Sequence, residues 1–263
     1  MTEARDLSLA VIGVGHLADY TLTGLRRGGW RGELRLGPRG AAKAAELAGR
    51  CDGRVFESNA DAAEGADLVL LATRPPQAVE AARSLTLTDT QTLVSVVAGL
   101  PLADLATHRG DAALARAMPV TAAEAGASPT MVYAEDPAVR AQVAGLFGLC
   151  GRAVPAAREA DFDVGTALAC VYGWFFELYG FLADEAEAAG LSHETALQMT
   201  LGMAEGAARV TAATGRDPHA IAEQIASPGS YTRLGLKHLE ERDAFAPWVE
   251  SFRLLMGKLR EGR

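Results

Sequence analysis

The stretch SLAVIGVGHLA at residues 8–18 decides the fold. An apolar run at 9–12 ends in Gly13-Val14-Gly15, and a segment of helical composition follows. A strand, a tight glycine turn and a helix N-terminus together make a phosphate cradle. Gly13 lets the chain turn with an unusual φ, and Gly15 lets the backbone approach a pyrophosphate. Ala18 replaces a third glycine and is small enough for close helix–strand packing. A lone GxGxxA is a weak signal, since glycine-rich turns are common. Its place after a strand, near the N-terminus of an alternating chain, points to a dinucleotide site.

Downstream the first half alternates. Strands are expected at 33–36, 54–56, 67–71, 92–97 and 113–117. Between them lie helices at 17–27 (closed by Gly28 and Gly29), at 41–48, after a Ser58 or Asn59 cap, after Pro75-Pro76 to Arg83, and after Pro101. This alternation means parallel βαβ units wound right-handed. From Pro119 to about residue 160 the pattern loosens into a strand at 130–133, a helix at 137–149 capped by Asp136, and a short strand at 153–154. After residue 161 strand signals vanish, and helices are expected at 161–189, 192–214 (Ser192 as N-cap), 217–226, 231–242 and 245–259. The expected fold class is α/β: an N-terminal Rossmann-type doubly wound sheet over 1–158, then an all-helical dimerisation and substrate domain over 159–263. Segment 161–189 is apolar around much of its circumference, with Leu168, Val171, Trp174, Phe175, Leu178, Phe181 and Leu182. A helix without a wet face is central to its own domain or buried in a partner subunit; the favoured reading is the partner, hence a homodimer.

The net charge of −8 argues against nucleic acid as a partner, so an anionic ligand must be held by local groups. Cys51, Cys150 and Cys170 are scattered without CxxC spacing, which fits reduced thiols and no metal site. The start, MTEARDLS, lacks the basic opening and apolar core of a signal peptide, and no uninterrupted apolar run is of membrane-spanning length. The expectation is a cytoplasmic protein with a small-molecule substrate and no membrane partner.

Cofactor choice is set where the second strand ends. An acid there binds ribose hydroxyls, whereas an arginine suits a 2′-phosphate. Here the strand ends Leu36-Gly37-Pro38-Arg39, with Lys43 one turn on. Arg39 can form charge-assisted bonds to a phosphate, so NADP(H) is expected over NAD(H); the plainer reading is a solvated loop arginine. With Gly13 and Gly15, His16 and Leu17 lie at the phosphate turn. Ala72, Thr73, Arg74 and Pro75 follow the fourth strand, whose carboxyl end faces the ligand crevice. Arg74 is poised there or stands in solvent. Ala98 and Gly99 follow the fifth strand and leave room for a nicotinamide ring. Glu124 is an acid–base group or, more plainly, a surface carboxylate.

Late in the chain, Ala226-Ser227-Pro228-Gly229-Ser230-Tyr231-Thr232 precedes a helix. Its hydroxyls and free N–H groups can bind a carboxylate; an ordinary capped helix start reads the same way. Tyr231 and Tyr172 are phenols that can donate a proton, or packing residues. His193, His219 and His238 are assigned no catalytic role.

These residues resemble the pyrroline-5-carboxylate reductases over nearly the whole chain. The anchors are VIGVGHLA, LATRPPQ, SVVAGL, ARAMPVT and ASPGSYT, with EAEAAGLSHETALQMTLGMAEGAARV similar to that family's dimer helices. The resemblance implies a Rossmann domain, an intertwined helical dimer, and hydride transfer from NAD(P)H to the cyclic imine 1-pyrroline-5-carboxylate, giving proline. Departures concentrate in the substrate half. Where the family continues MP with Asn-Thr-Pro, this chain has Val120-Thr121-Ala122. Where the family has SGSGPAY, it has Leu168-Ala169-Cys170-Val171-Tyr172-Gly173-Trp174. The glycine-threonine pair of SPGGTT is Ser230-Tyr231 before Thr232.

The resulting expectation is an NADPH-dependent reductase of a cyclic imine, bulkier or less polar than that of the family. Tyr231, Thr232 and Tyr172 are the candidate proton donors, and Ser227, Gly229, Ser230 and Val120 the candidate substrate contacts. A second reading, from a different class, is a catalytically silent dinucleotide-binding sensor or interaction protein; binding without turnover across a panel of imines distinguishes it. A third, a 3-hydroxyacid-type dehydrogenase, calls for a lysine in the long helix, and residues 161–190 contain none.

Overall fold

The computed structural model describes residues 3–261. Met1, Thr2, Gly262 and Arg263, inside the expected domain bounds, lie outside the described residues. The chain divides into two compact units, one of Met1–Ala169 with Met256–Arg263 and one of Cys170–Leu255.

The first unit follows the order β1 (Leu9–Ile12), α1 (His16–Arg27), β2 (Leu34–Leu36), α2 (Ala41–Arg50), β3 (Gly53–Val55), α3 (Asn59–Ala63), β4 (Leu68–Leu71), α4 (Pro75–Arg83), β5 (Thr92–Ser95), α5 (Leu102–Ala106), β6 (Ala113–Met118), β7 (Ser128–Tyr133), α6 (Pro137–Phe147) and β8 (Gly151–Pro155). The strands form one sheet in the order β3-β2-β1-β4-β5-β6-β7-β8. The first six are parallel, as the alternation predicts. β7 runs antiparallel to β6, and β8 parallel to β7. The segment between β6 and β7 holds only a 3-10 turn, Thr121–Ala125, too short for the crossover that a parallel partner needs. Pro129 lies beyond the β6 ladder, where its missing N–H breaks no bond to that strand.

β1 and β4 are buried along their whole length. Leu9 and Val11 face one core, with Ala18, Leu22, Leu25 and Leu47. Ala10 and Ile12 face the other, with Ala78 and Ala82. Two-sided burial explains why these strands read as continuous apolar runs. Ser58, not Asn59, caps α3, accepting from the Asp61 amide.

α7 (Glu159–Ala188) begins in the first unit and continues into the second. The second unit holds α8 (His193–Thr214), α9 (Pro218–Ile225), α10 (Tyr231–Glu241) and the first part of α11 (Ala246–Glu261). Ser192, Asp217 and Ser230 cap α8, α9 and α10 through side-chain acceptance of backbone N–H bonds. Large apolar side chains here lie open, including Phe181 (66% exposed), Met203 (65%) and Leu234 (66%).

α7 is also the longest helix among the described residues. By length and composition it is long and apolar enough to cross a membrane. The sequence shows no uninterrupted apolar run of that length because Glu177 stands within it, and the remaining acids of the helix sit toward its two ends.

Candidate active site

The strand order reverses around β1, between β2 and β4, and a doubly wound sheet opens its ligand crevice at that point, beyond the strand carboxyl ends. Gly13 has φ +96°, and a Cβ there would meet Thr73 Cγ2 at 2.7 Å and the Thr73 amide at 2.8 Å. Both facts demand glycine. A Cβ on Gly15 would meet nothing within 4 Å, so that face opens into free space. Gly15 caps α1 without a side-chain bond, and the amides of His16, Leu17 and Ala18 find no backbone partner among the described residues. They are donors at the positive end of a helix. Ala18 is buried against the sheet.

Arg39 is exposed on the turn after β2 and borders one concavity with Gly13, Pro38, Asn59 and Thr73. It makes no hydrogen bond or ion pair among the described residues. Lys43 is different: its ammonium lies 2.5 Å from Asp19 and 3.3 Å from Glu46, so it is committed to carboxylates. Arg50 shares the same Asp19. In the same concavity, Asn59 Oδ1 and Thr73 Oγ1 are buried without a hydrogen-bond partner. A buried polar atom without a partner is costly, which favours a ligand group there. Asn59 was read only as a helix cap in the sequence; its side chain instead lies against Gly37, where a Cβ would come within 2.6 Å of Oδ1. An open glycine face, unpaired helix amides, two orphaned polar atoms and an uncommitted arginine fit a phosphorylated dinucleotide.

Beyond β4, Ala72 and Thr73 are half-buried, while Arg74 and Pro75 are exposed at the start of α4. Pro75 occupies the first helical position, where a missing N–H does no harm. Beyond β5, Val97 is buried, Ala98 is exposed and Gly99 has φ +71°. Val120 is 6% exposed, and its amide donates to Ser128 Oγ at 3.0 Å, so its side chain belongs to the packing of the first unit. Glu124 is an exposed carboxylate whose backbone carbonyl accepts from Arg27.

One charged cluster had no role in the sequence reading. Arg116 on β6 is 1% exposed, with Nη1 3.0 Å from Glu159 and 3.1 Å from Asp163 in the first turns of α7. Its guanidinium lies 4.2 Å from the centre of the Phe162 ring. Glu159 also accepts from the Leu102 amide at 2.8 Å, so one carboxylate joins α5, β6 and α7. Burial, with the Glu135 and Glu159 carboxylates nearby, raises the Tyr133 phenol above its ordinary pKa.

In the second unit, Ser227, Gly229 and Ser230 lie in the turn ahead of α10, and Tyr231 and Thr232 are the first two residues of that helix. Gly229 has φ +82°. Ser230 Oγ accepts from the Arg233 amide at 3.1 Å, so the plainer capping role is present; its O–H remains able to donate. The amides of Gly229, Tyr231 and Thr232 have no backbone partner among the described residues. Tyr231 is 93% exposed. Tyr172 sits on α7, half-buried, with its ring edge-on to Phe176 at 5.0 Å. Trp174 meets Trp248 of α11 at 5.8 Å.

Two family models match the chain. Residues 159–253 match pyrroline-5-carboxylate reductase dimerisation, and residues 8–99 match NADP oxidoreductase, coenzyme F420-dependent. A relative named pyrroline-5-carboxylate reductase, from Pseudomonas aeruginosa, is 34% identical over 88% of each chain. Its counterpart from Glycine max is 30% identical over 90% of this chain and 89% of its own. Among solved structures, 1-pyrroline-5-carboxylate reductase from Streptococcus pyogenes superposes with a TM-score of 0.87 at 26% identity, covering 98% of this chain and 99% of its own. With an eight-stranded, mostly parallel sheet and a helical region matched to dimerisation, the chain belongs to the pyrroline-5-carboxylate reductase family, whose members are NAD(P)H-dependent oxidoreductases.

Proposed function

We propose that this protein reduces a cyclic imine with NADPH, acting as a cytoplasmic homodimer in which residues 1–158 bind the dinucleotide and 159–263 provide dimerisation and substrate contacts. The observation that carries the reading is the turn at 227–232, where three amides without a backbone partner among the described residues and two serine hydroxyls neighbour an exposed tyrosine in sequence, in a chain whose opening glycine turn supports dinucleotide binding.

When bound, the reduced nicotinamide supplies a hydride. The chain's own residues bind, orient and handle the proton. Gly13, Gly15, His16 and Leu17 offer the pyrophosphate a close backbone and free amides. Arg39 offers a 2′-phosphate a guanidinium, which supports NADP(H) over NAD(H). Ala72, Thr73, Arg74 and Pro75 wall the crevice, and Ala98 and Gly99 leave room for a ring. Ser227, Gly229 and Ser230 grip a carboxylate if the imine carries one; Val120, expected from the sequence as a substrate contact, is buried in the packing of the first unit. Tyr231 or Thr232, with Tyr172 behind them, donates a proton to the imine nitrogen. Much of the rate comes from holding the two reactants in line. Cys170, Val171, Tyr172 and Trp174, in place of the family's small polar residues, favour a bulkier or less polar ring than 1-pyrroline-5-carboxylate. The open apolar surface of the second unit suits a second copy of the chain, as a dimerisation region requires.

The test is NADPH oxidation by the purified protein with 1-pyrroline-5-carboxylate, beside NADH and a blank without imine. Robust turnover makes it a proline-forming reductase and removes the altered-substrate reading. No turnover, with NADPH binding intact by fluorescence titration, moves the search to larger cyclic imines; inertness across that panel rejects the reductase reading. Loss of NADPH binding as well rejects the cradle.

A further inference from the structure

The turn at 227–232 is bracketed on both sides by one residue that the mechanism above does not use. Arg233 sits in the first turn of α10, just past the segment that carries the substrate contacts. Its backbone amide donates to Ser230 Oγ at 3.1 Å. Its side chain folds back across the turn, and Nε donates to the Ala226 carbonyl at 2.8 Å. Its remaining nitrogens form a paired contact with the Glu223 carboxylate on α9, Nη1 to Oε1 at 3.2 Å and Nη2 to Oε2. One side chain thus ties the end of α9 to the start of α10 and closes the loop between them.

The loop has little else to hold it. Within it, Ser230 donates its amide to the Ser227 carbonyl at 3.0 Å and Ser227 donates to Ile225 at 2.9 Å. Gly229 takes a left-handed φ of +82°, and glycine leaves neighbouring conformations accessible. Of the residues from Ala226 to Thr232, Ala226 is the one fully buried. The Arg233 clamp therefore supplies constraint where packing does not. A planar guanidinium suits this work, since it can serve a carbonyl and a carboxylate in fixed directions at once; an ammonium cannot. The Arg233 hydrogen bond holds the Glu223 carboxyl below the usual range, as a formed pair requires.

We propose that Arg233, braced by Glu223, is a positioning residue that holds the 227–232 turn in a single shape, so that its amides and hydroxyls meet the substrate preorganised. The inference rests on the reading of this turn as the substrate grip. Preorganisation of a binding loop acts mainly on affinity, because ordering need not occur at the moment of binding.

The experiment compares the wild type with Arg233→Gln, Arg233→Lys and Glu223→Gln in the full-length protein. Hydrogen exchange within 227–232 is read in each at the two bonded amides, Ser227 and Ser230, with NADPH affinity by fluorescence titration, and kcat and KM for 1-pyrroline-5-carboxylate or whichever cyclic imine the wild type turns over. In Arg233→Gln, exchange at the bonded Ser227 and Ser230 amides rises by about tenfold while the Rossmann strands keep their protection. KM rises about tenfold, kcat stays within about twofold and NADPH affinity is unchanged. Glu223→Gln gives a smaller change of the same kind. Arg233→Lys recovers the charge pair without the fork and falls between wild type and Arg233→Gln. Unaltered exchange at 227–232 overturns the inference, whatever the substrate. Faster exchange with an unaltered KM overturns the reading of the turn as the grip, while leaving Arg233 as what holds it. A wild type inert to every imine tried rejects the proposed function, and exchange still decides whether Arg233 holds the turn.

Discussion

Arg116 Nη1 lies 3.1 Å from Asp163 Oδ1, the arginine 1% exposed and the aspartate 5%. An ion pair this deep is an unreliable source of net stability, because both charges have left water. Removing one partner is a different matter, since the other charge stays behind in a poor solvent. Arg116→Met therefore takes the guanidinium away from Asp163 and from the partly exposed Glu159. The expected loss is about 3–5 kcal/mol, or a fall in Tm of roughly 10 °C in a unit of this size. Asp163→Asn, which keeps an acceptor near Nη1, should cost clearly less. Thermal unfolding of the two variants decides it: equal and small shifts would show that the cluster does not join β6 to α7.

Gly13 and Gly15 separate folding from cofactor binding. Gly13→Ala forces a side chain to φ +96° and into Thr73, so it should destabilise the fold and abolish NADPH binding together. Gly15→Ala has ordinary backbone angles, and its Cβ touches nothing within 4 Å. Its Tm should stay within about 2 °C of wild type, since exposed substitutions change little, while NADPH affinity falls by at least about tenfold because the methyl group stands where a pyrophosphate approaches. Tight NADPH binding by the alanine variant at position 15 would mean that the phosphate lies elsewhere.

The alternation of β1 to β6 was legible because parallel strands buried on both faces leave uninterrupted apolar runs, and Ser192 announced the start of α8 as a cap must. β7 was legible as a strand but not in direction; direction depends on the length of the connection, and the brief 3-10 turn at Thr121–Ala125 left no periodicity to read. At the candidate site, the glycines and Arg39 were legible because they follow strand ends. Asn59 and Arg116 were not. An asparagine beside a serine reads as a cap, and an arginine within ALARAM gives no sign that its partners stand forty and more residues away on another element. Such pairings exist only once the chain has folded.

The proposed preference for NADPH over NADH rests on Arg39. It is exposed and free of carboxylate partners among the described residues, so its loss should cost the fold little. A charge-assisted contact to a 2′-phosphate at an exposed position is worth about 1.5 kcal/mol, so Arg39→Ala should weaken NADPH by about tenfold. NADH, which lacks that phosphate, should bind as before. Paired titrations of both nucleotides read this directly, and parallel losses for the two would argue against a 2′-phosphate contact.

Cys150 links stability to alkaline pH. Burial pushes its thiol up to about 11, from 9.0 for an open cysteine. The thiol is neutral in the fold and ionises earlier in the unfolded chain, so the unfolded state binds fewer protons once the pH passes 9. The stabilisation is fully present below pH 9 and is lost as the pH rises through 11, by about 2–3 kcal/mol in all. Because lysines and tyrosines titrate in the same range, the measurement is the difference in urea stability between wild type and Cys150→Ala at pH 8, 9, 10 and 11. That difference should move against the wild type by the stated amount; a constant difference would place the thiol in an ordinary environment.

Tyr231 carries the proton-transfer reading. The residue is 93% exposed and its phenol makes no hydrogen bond among the described residues, so it is available to a ligand and contributes little to the fold. It also stands directly after Ser230, whose hydroxyl caps α10, at the first position of that helix. Tyr231→Phe keeps the ring and removes the O–H. If the phenol protonates the imine nitrogen, kcat should fall by about 10²–10⁴-fold with NADPH affinity intact. Thr232→Val, run beside it, tests the neighbouring hydroxyl by the same logic. A Tyr231→Phe enzyme with full turnover and a crippled Thr232→Val enzyme would move the proton donor one residue along the turn, and full turnover in both would leave Tyr172 as the group to test.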